Sequence, residues 1–284
     1  MFLGPTFNKT DTPYYFDISG DTATASIVIK SHLAEKHVHL LKNQRGIIRF
    51  DGFTDVLQPI LFQSVNAVFD KLIGSGKRGK VYMFDSDKVV KVQPTDARVY
   101  AEVDAMVHLP ISHHLTNLVR VISDATTTYE IMNYGGKPLV LPIAAADAEP
   151  LFNGIMAGLN VIHAAGYIHG DLHPENILMG SYGAVITDFG TMQRLGADGF
   201  YRGPARGGRW DSMPPEQFGR EVVLSPASDI YSAASTVLWC LLGRAPFAPV
   251  PGDVSRSHES IEKMLKPFPL TRDFKTKLIK SLSR

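Results

Sequence analysis

The sequence predicts an α+β protein in two lobes, a small one of antiparallel strands with a single helix and a larger, mainly helical one. Three observations lead there. Short β-branched runs crowd residues 68–133, and one amphipathic helical pattern interrupts them near 95–109. After the turn-forming GGKPL at 135–139 the pattern becomes helical, with a long segment apolar on nearly all sides at 230–242. Strands first and helices afterwards imply two lobes with a cleft between them.

In chain order, residues 1–66 form an N-terminal extension or small α+β module. TATASIVIK at 22–30 and GIIRF at 46–50 have strand chemistry, and HLAEKHVHLLKN at 32–43 is expected to form a short helix. His32, His37 and His39 do not match the spacing of a helical histidine pair, so they are expected on the surface. A small lobe then runs over about 67–133 and a large lobe over about 134–284. FDKLIG, KVYMF and KVVKV are three strands, the last two joined by a DSD turn at 85–87. PTDARVYAEVDAMVHL follows as a helix, with Thr95 or Asp96 as N-cap and Val99, Val103, Met106 and Val107 on one face. VRVISDATTTYEIM supplies two more strands.

Bulk numbers exclude several classes. Lys plus Arg is 29 against Asp plus Glu 28, a net charge of +1, so no field of one sign draws in nucleic acid. The apolar helix candidate at 230–242 falls short of the ~20 residues that a membrane span needs, and the N-terminus lacks the layout of a secretory signal. The single cysteine, Cys240, lies in the apolar run STVLWCLLG, which excludes a disulfide framework and favours a reducing, cytoplasmic setting.

The chemistry begins at IGSGKRGKVY. Gly74, Gly76 and Gly79 fit G-x-G-x-x-G, and Gly74, Gly79 and Lys80 nearly fit the other phosphate motif, where Val81 replaces the required hydroxyl. A strand follows rather than a helix, so the stretch suits a flap between two antiparallel strands over a nucleotide. Lys91 stands in the next strand and Glu102 in the helix after it, a pair able to hold an ammonium against phosphates.

With these come YIHGDLHPENIL at 167–178, ITDFG at 186–190, MPPE at 213–216 and SDIYSAASTVLWCLLGRAPF at 228–247. In that order, over roughly residues 68–284, the chain resembles the eukaryotic-type protein kinase catalytic domain, which implies that family's bilobal fold. The resemblance implies ATP as cofactor with Mg²⁺ or Mn²⁺, and a protein substrate. It implies that Gly74, Ser75, Gly76 and Gly79 cover the phosphates and that Lys91, oriented by Glu102, holds them. Asp171 would take the proton of the acceptor hydroxyl, and Asn176 and Asp188 would bind the metal ion. Met132 would back the adenine pocket, the backbone of Asn133 and Tyr134 would meet the adenine edge, and Val81, Val89 and Leu178 would enclose the ring. His169 and Phe189 would be structural.

The departures are specific. Gly170 replaces the arginine that pairs with an activation-loop phosphate in the family, which implies activity without phosphate on Thr191, Tyr201 or Ser212. His173 replaces a lysine that contacts the γ-phosphate. Arg209 stands at the position of a threonine beside the catalytic aspartate, and Val89 replaces an alanine over adenine. For Arg194, Arg202, Arg206 and Arg209 two readings stand, a site for an acidic peptide or a solvated basic loop. The HGDLHP string is also similar to small-molecule phosphotransferases, but those lack the stretch from DFG through P-P-E to SDIYS. A partner-binding pseudokinase is the third reading, against which the full set Lys91, Glu102, Asp171, Asn176 and Asp188 speaks. The chain ends soon after the FKTKLIKSLSR helix, which leaves Arg284 as the expected partner of Glu216. An abbreviated large lobe of this kind also allows a bacterial effector that acts inside a host cell.

Overall fold

Strand chemistry in the first half builds two separate antiparallel sheets. The computed structural model describes residues 15–19, 24–30, 35–42, 48–51, 71–76, 79–85, 87–123, 127–248 and 254–283. These divide between two units, Met1–Val107 with Asn117–Tyr134, and His108–Thr116 with Gly135–Arg284.

In the first unit, β1 (Tyr15–Ser19), β2 (Thr24–Lys30), β3 (Glu35–Lys42) and β4 (Ile48–Asp51) form an antiparallel meander in sequence order. The helix expected at HLAEKHVHLLKN is a correction, because Glu35–Lys42 is a strand. It pairs with β2 from Lys30↔Glu35 to Thr24↔Leu41 and with β4 along its other edge. Ladder bonds on both sides are long-range terms that local helix propensity does not count. His37 and His39 lie on this strand and His32 lies outside the described residues; among the described residues no group of three or more His, Cys, Asp or Glu side chains is placed to hold a metal ion.

A second sheet of β5 (Lys71–Ser75), β6 (Lys80–Asp85), β7 (Lys88–Pro94), β8 (Leu118–Ser123) and β9 (Thr127–Asn133) has the order β5-β6-β7-β9-β8. Helix α1 (Ala97–His108) starts at Asp96, whose carboxylate accepts the Arg98 and Val99 N–H groups at 2.9 and 3.1 Å. Thr95, the alternative cap, instead bonds Thr128 through its hydroxyl. Val99 and Val103 bury against Val121, with Val107 and Leu118 beside them. Each such burial contributes about 1.5–3 kcal/mol.

The second unit is organised around α3 (Pro226–Leu242). Ser225 and Ser228 form a capping box, Pro226 occupies the first turn, and Gly243 closes the helix at φ 70°. All but a few of its residues are buried, against α2 (Ala145–Ala164) and α4 (Arg272–Leu282). Phe152 of α2 meets Phe274 of α4 edge-on at 5.8 Å. Burial pushes the Cys240 thiol of α3 up to about 12, so at neutral pH it is a small apolar side chain. Among the described residues no helix is long and apolar enough to cross a membrane.

Short pairings shape the remainder of this unit. Strand β10 (Lys137–Pro138) lies beside β12 (Ile177–Gly180), which pairs with β13 (Gly183–Ile186). Strand β11 (Tyr167–Ile168) pairs with β14 (Gln193–Arg194). Strand β15 (Tyr201–Pro204) pairs with β16 (Glu221–Leu224), and its apolar side packs on Ile168 with Val222 and Leu224.

Candidate active site

Lys91 and Glu102 meet because α1 returns across β7. Lys91 Nζ lies 2.6 Å from Glu102 Oε1, and the glutamate is almost fully buried. Gln93, two residues along the same face, donates its side-chain N–H groups to Glu102 Oε2 at 3.1 Å and to the buried Glu130. Glu130 lies opposite Lys91 in the β7–β9 register. One ammonium and one amide therefore hold two buried carboxylates. Removing Lys91 from such a pair costs about 3–5 kcal/mol, because a buried charge loses its partner. A charge inside the apolar strand TTYEIM was the signal for Glu130, but nothing local connects it to Lys91.

Around this pair, Val89 is buried and sits opposite Met132, while Val81 sits opposite Lys91. Gly74 and Ser75 end β5, and the Gly76 N–H donates to Gly79 O at 2.9 Å. Gly79 has a packing reason of its own: a Cβ there would lie 2.7 Å from Val92 O. The Asn133 and Tyr134 N–H groups donate to Asn117 O at 3.1 Å and Asp87 O at 2.8 Å, so neither is available to an adenine edge.

In the second unit the residues after β11 are set by one carboxylate. Asp229, near the N-terminus of α3 and buried, accepts the His169 N–H at 2.8 Å and the Gly170 N–H at 2.9 Å. His163 of α2 bonds the same carboxylate at 2.8 Å. Gly170 adopts φ 78°, a left-handed conformation that costs a residue with a Cβ about 1–2 kcal/mol. Its carbonyl accepts from Gln217 at 2.7 Å. Glycine here thus has a conformational account beside the loss of a guanidinium.

Asp171 follows. Its Oδ1 accepts the Arg209 N–H at 2.8 Å, its Oδ2 lies 3.6 Å from His173 Nε2, and its backbone oxygen accepts from Asn176 Nδ2 at 2.9 Å. Asn176 spends its amide nitrogen on this bond, which leaves Oδ1, a hard oxygen, for a cation. His173 is buried, and its Nδ1 has no hydrogen-bond partner. Asp188 has φ 61°, a conformation rare for a residue with a Cβ; such strain collects at functional sites. The Thr187 N–H donates to Asn176 O at 3.0 Å, so Asp188 directly follows a residue tied to Asn176. Phe189 meets the His169 ring edge-on at 5.8 Å, and the His169 ring also bonds Thr187 O. Leu178, on β12, lies opposite Val185 and Pro138.

Asp171, His173, Asn176 and Asp188 are thus brought together in one unit, and Lys91 and Glu102 in the other. A carboxylate, an amide oxygen and a second carboxylate suit a hard cation that shares its coordination with phosphate and water. An orphaned buried ring nitrogen on His173 suits a polar ligand nearby.

Residues 68–284 match the family model of the protein kinase domain. The chain belongs to the protein kinase family. It is similar to the serine/threonine-protein kinase PknD of Mycobacterium tuberculosis, 28% identical over 203 residues, 62% of this chain and 30% of that protein. It is also similar to the serine/threonine-protein kinase PEPKR2 of Arabidopsis thaliana, 27% identical over 262 residues, 86% of this chain and 53% of that protein. A probable serine/threonine-protein kinase, PkwA of Thermomonospora curvata, is 33% identical over 106 residues, 37% of this chain and 14% of that protein. The chain therefore spans about half or less of the length of each of these relatives.

As a member of this kinase family, the chain shows what stands at the altered positions. Arg209 keeps a hydrogen bond to Asp171 through its backbone, while its guanidinium pairs with Glu175 at 2.7 Å and stacks over Trp239 at 5.0 Å. Arg202 pairs with Asp198. Two of the four arginines of this segment are thus matched by acids of the chain itself. Glu216 accepts from Ser228 Oγ at 2.8 Å, and its expected partner Arg284 lies outside the described residues. A residue that local pattern did not single out, Arg256, anchors the segment before P-P-E.

Proposed function

We propose that this protein is a kinase that transfers the γ-phosphate of ATP to a serine or threonine hydroxyl of a protein, and that it does so without a phosphate on its activation segment. The observation that carries the reading is Asp171, held by the Arg209 N–H with Oδ2 turned toward His173, beside Asn176 and Asp188. When bound, ATP with Mg²⁺ or Mn²⁺ supplies the transferable phosphoryl group and neutralises its charge. Asn176 Oδ1 and the Asp188 carboxylate are the residues that would hold the ion. Lys91, kept extended by Glu102, binds the phosphates, and the Gly74–Gly79 loop covers them. Val81, Val89 and Met132 supply the apolar surround for the base in the first unit. Asp171 accepts the hydroxyl proton, and His173 offers a hydrogen bond in place of a lysine's charge.

Independence from phosphorylation rests on three further observations. Gly170 offers no guanidinium to a phosphate. The candidate hydroxyls of Thr191, Tyr201 and Ser212 donate to His169 O, Pro204 O and Arg209 O, and Ser212 is buried. Pairing of β15 with β16 and packing on Ile168 hold the segment by backbone and apolar contact instead. Protein treated with a phosphatase, then freed of it, should retain at least about half its initial rate; a collapse refutes this part of the reading.

The decisive assay sets wild type beside Lys91→Ala and Asp188→Ala with Mg²⁺ and ATP. Wild type should form phosphoprotein, and each variant should fall by about 10²-fold or more, as expected when a charge-stabilising group is lost. ATP consumption that persists unchanged in both variants would sink the proposal. A panel of generic protein substrates beside small alcohols identifies the acceptor class.

A further inference from the structure

Arg256 lies in a single turn of 3₁₀ helix, Val254–Arg256, and its guanidinium is boxed by aromatic rings. Its Cζ stands 4.7 Å from the Phe247 ring centre, 5.2 Å from Phe218 and 5.9 Å from Tyr231. Phe247 and Tyr231 are buried. From this box Arg256 donates to Met213 O at 2.9 Å, to Trp210 O at 3.1 Å and to the Tyr231 hydroxyl at 2.7 Å. Its Nε is buried with no acceptor. An apolar side chain in the box would avoid that desolvation cost. What it could not do is hold two backbone carbonyls of the 210–213 segment.

Those carbonyls belong to a closed turn. The Ser212 and Met213 N–H groups both donate to Arg209 O, at 3.0 and 2.8 Å, and the Arg209 N–H donates to Asp171 Oδ1 at 2.8 Å. The path from Arg256 to the carboxylate is therefore continuous: guanidinium to turn, turn to Arg209, Arg209 to Asp171. A planar fork held among three aromatic rings sets the position of that turn, and the turn sets the N–H donor that Asp171 Oδ1 accepts. Trp239 steadies the other side of the turn by stacking on the Arg209 guanidinium.

We propose that Arg256 is a positioning residue for the phosphotransfer step, acting on Asp171 through the 209–213 turn. The inference rests on the assignment of Asp171 as the base. Arg256→Ala should lower kcat for protein phosphorylation by about 30- to 100-fold, the scale of a misplaced catalytic group, while Mg²⁺-ADP affinity stays within about two-fold of wild type. Arg256→Lys should recover little, because an ammonium on a flexible stem neither stacks as a plane nor spans two carbonyls. Hydrogen exchange gives an arm independent of activity. In Arg256→Ala, amides of residues 207–217 should exchange faster while those of α2, 145–164, should not.

A kcat within about three-fold of wild type overturns the proposal, and so does faster exchange spread equally over both segments. Should wild type transfer no phosphate, the functional reading fails, and the exchange comparison still decides whether Arg256 sets the turn. Should Arg256→Ala not fold, Phe247→Leu thins the box while leaving the donors. That variant should lose about three- to ten-fold in kcat with unchanged ADP affinity, and unchanged kcat with unchanged exchange at 207–217 overturns the proposal equally.

Discussion

Asp171→Asn should transfer phosphate about 10³-fold more slowly than wild type, within the 10²–10⁴-fold that a positioned general base contributes. Asparagine is nearly isosteric, so its carbonyl oxygen can still accept the Arg209 N–H that now holds Asp171 Oδ1 at 2.8 Å. The Asn176 side chain keeps its bond as well, because it donates to the backbone oxygen of residue 171. What changes is the second position, where an amide nitrogen replaces the oxygen that faces His173 at 3.6 Å. An amide cannot take up the acceptor's proton. Steady-state phosphorylation and a fluorescent ADP titration separate the effects: kcat should fall while ADP affinity stays within about two-fold. A rate within ten-fold of wild type would remove Asp171 from the role of base.

A large effect on stability, on the scale of losing Lys91, should come from Asp229→Ala. That buried carboxylate accepts the His169 and Gly170 N–H groups and bonds His163, all within 2.9 Å. Alanine leaves two buried backbone donors and a ring nitrogen without their acceptor, at about 1–3 kcal/mol for each group stranded. We expect a loss of about 4 kcal/mol, the scale of a broken buried network. The thermal midpoint should then fall by about 8–16 °C for a chain of this size. Asp229→Asn keeps one acceptor oxygen and should lose about half as much. Activity should fall with stability, since the two amides freed are those immediately before Asp171. A midpoint shift under about 3 °C for the alanine variant would mean that water replaces the carboxylate.

Much of the candidate site was legible because its parts are short strings. HGDLHPEN, DFG and the glycine-rich turn each place several functional groups within a few residues, where spacing alone restricts the chemistry. The helix 226–242 was legible from apolarity on nearly every side, and α1 from its valine spacing and Asp96. The failure at HLAEKHVHLLKN has the opposite cause. Its lysines, glutamate and leucines suit a helix, but ladder bonds to β2 and β4 come from partners elsewhere in the chain. Gly170 was legible as a missing guanidinium and not as a backbone at φ 78°, since a letter records a side chain and not a dihedral.

Sequence by itself determined the family, the strands and the helix of residues 71–133, and the candidate groups for the chemistry. Each of these depends on residue type and near-neighbour spacing. Only the tertiary structure decided how those groups are held. Asp229 reaches residues 59 and 60 positions away, and Gln217 reaches Gly170 across 47. Arg256 closes on Trp210 and Met213 across 46 and 43, and Gln93 bridges to Glu130 across 37. Such bonds form where packing brings distant segments to hydrogen-bond distance, and no periodicity along the chain encodes them. Arg256, which holds the segment before P-P-E, is selected by three aromatic rings and two carbonyls that only the fold assembles.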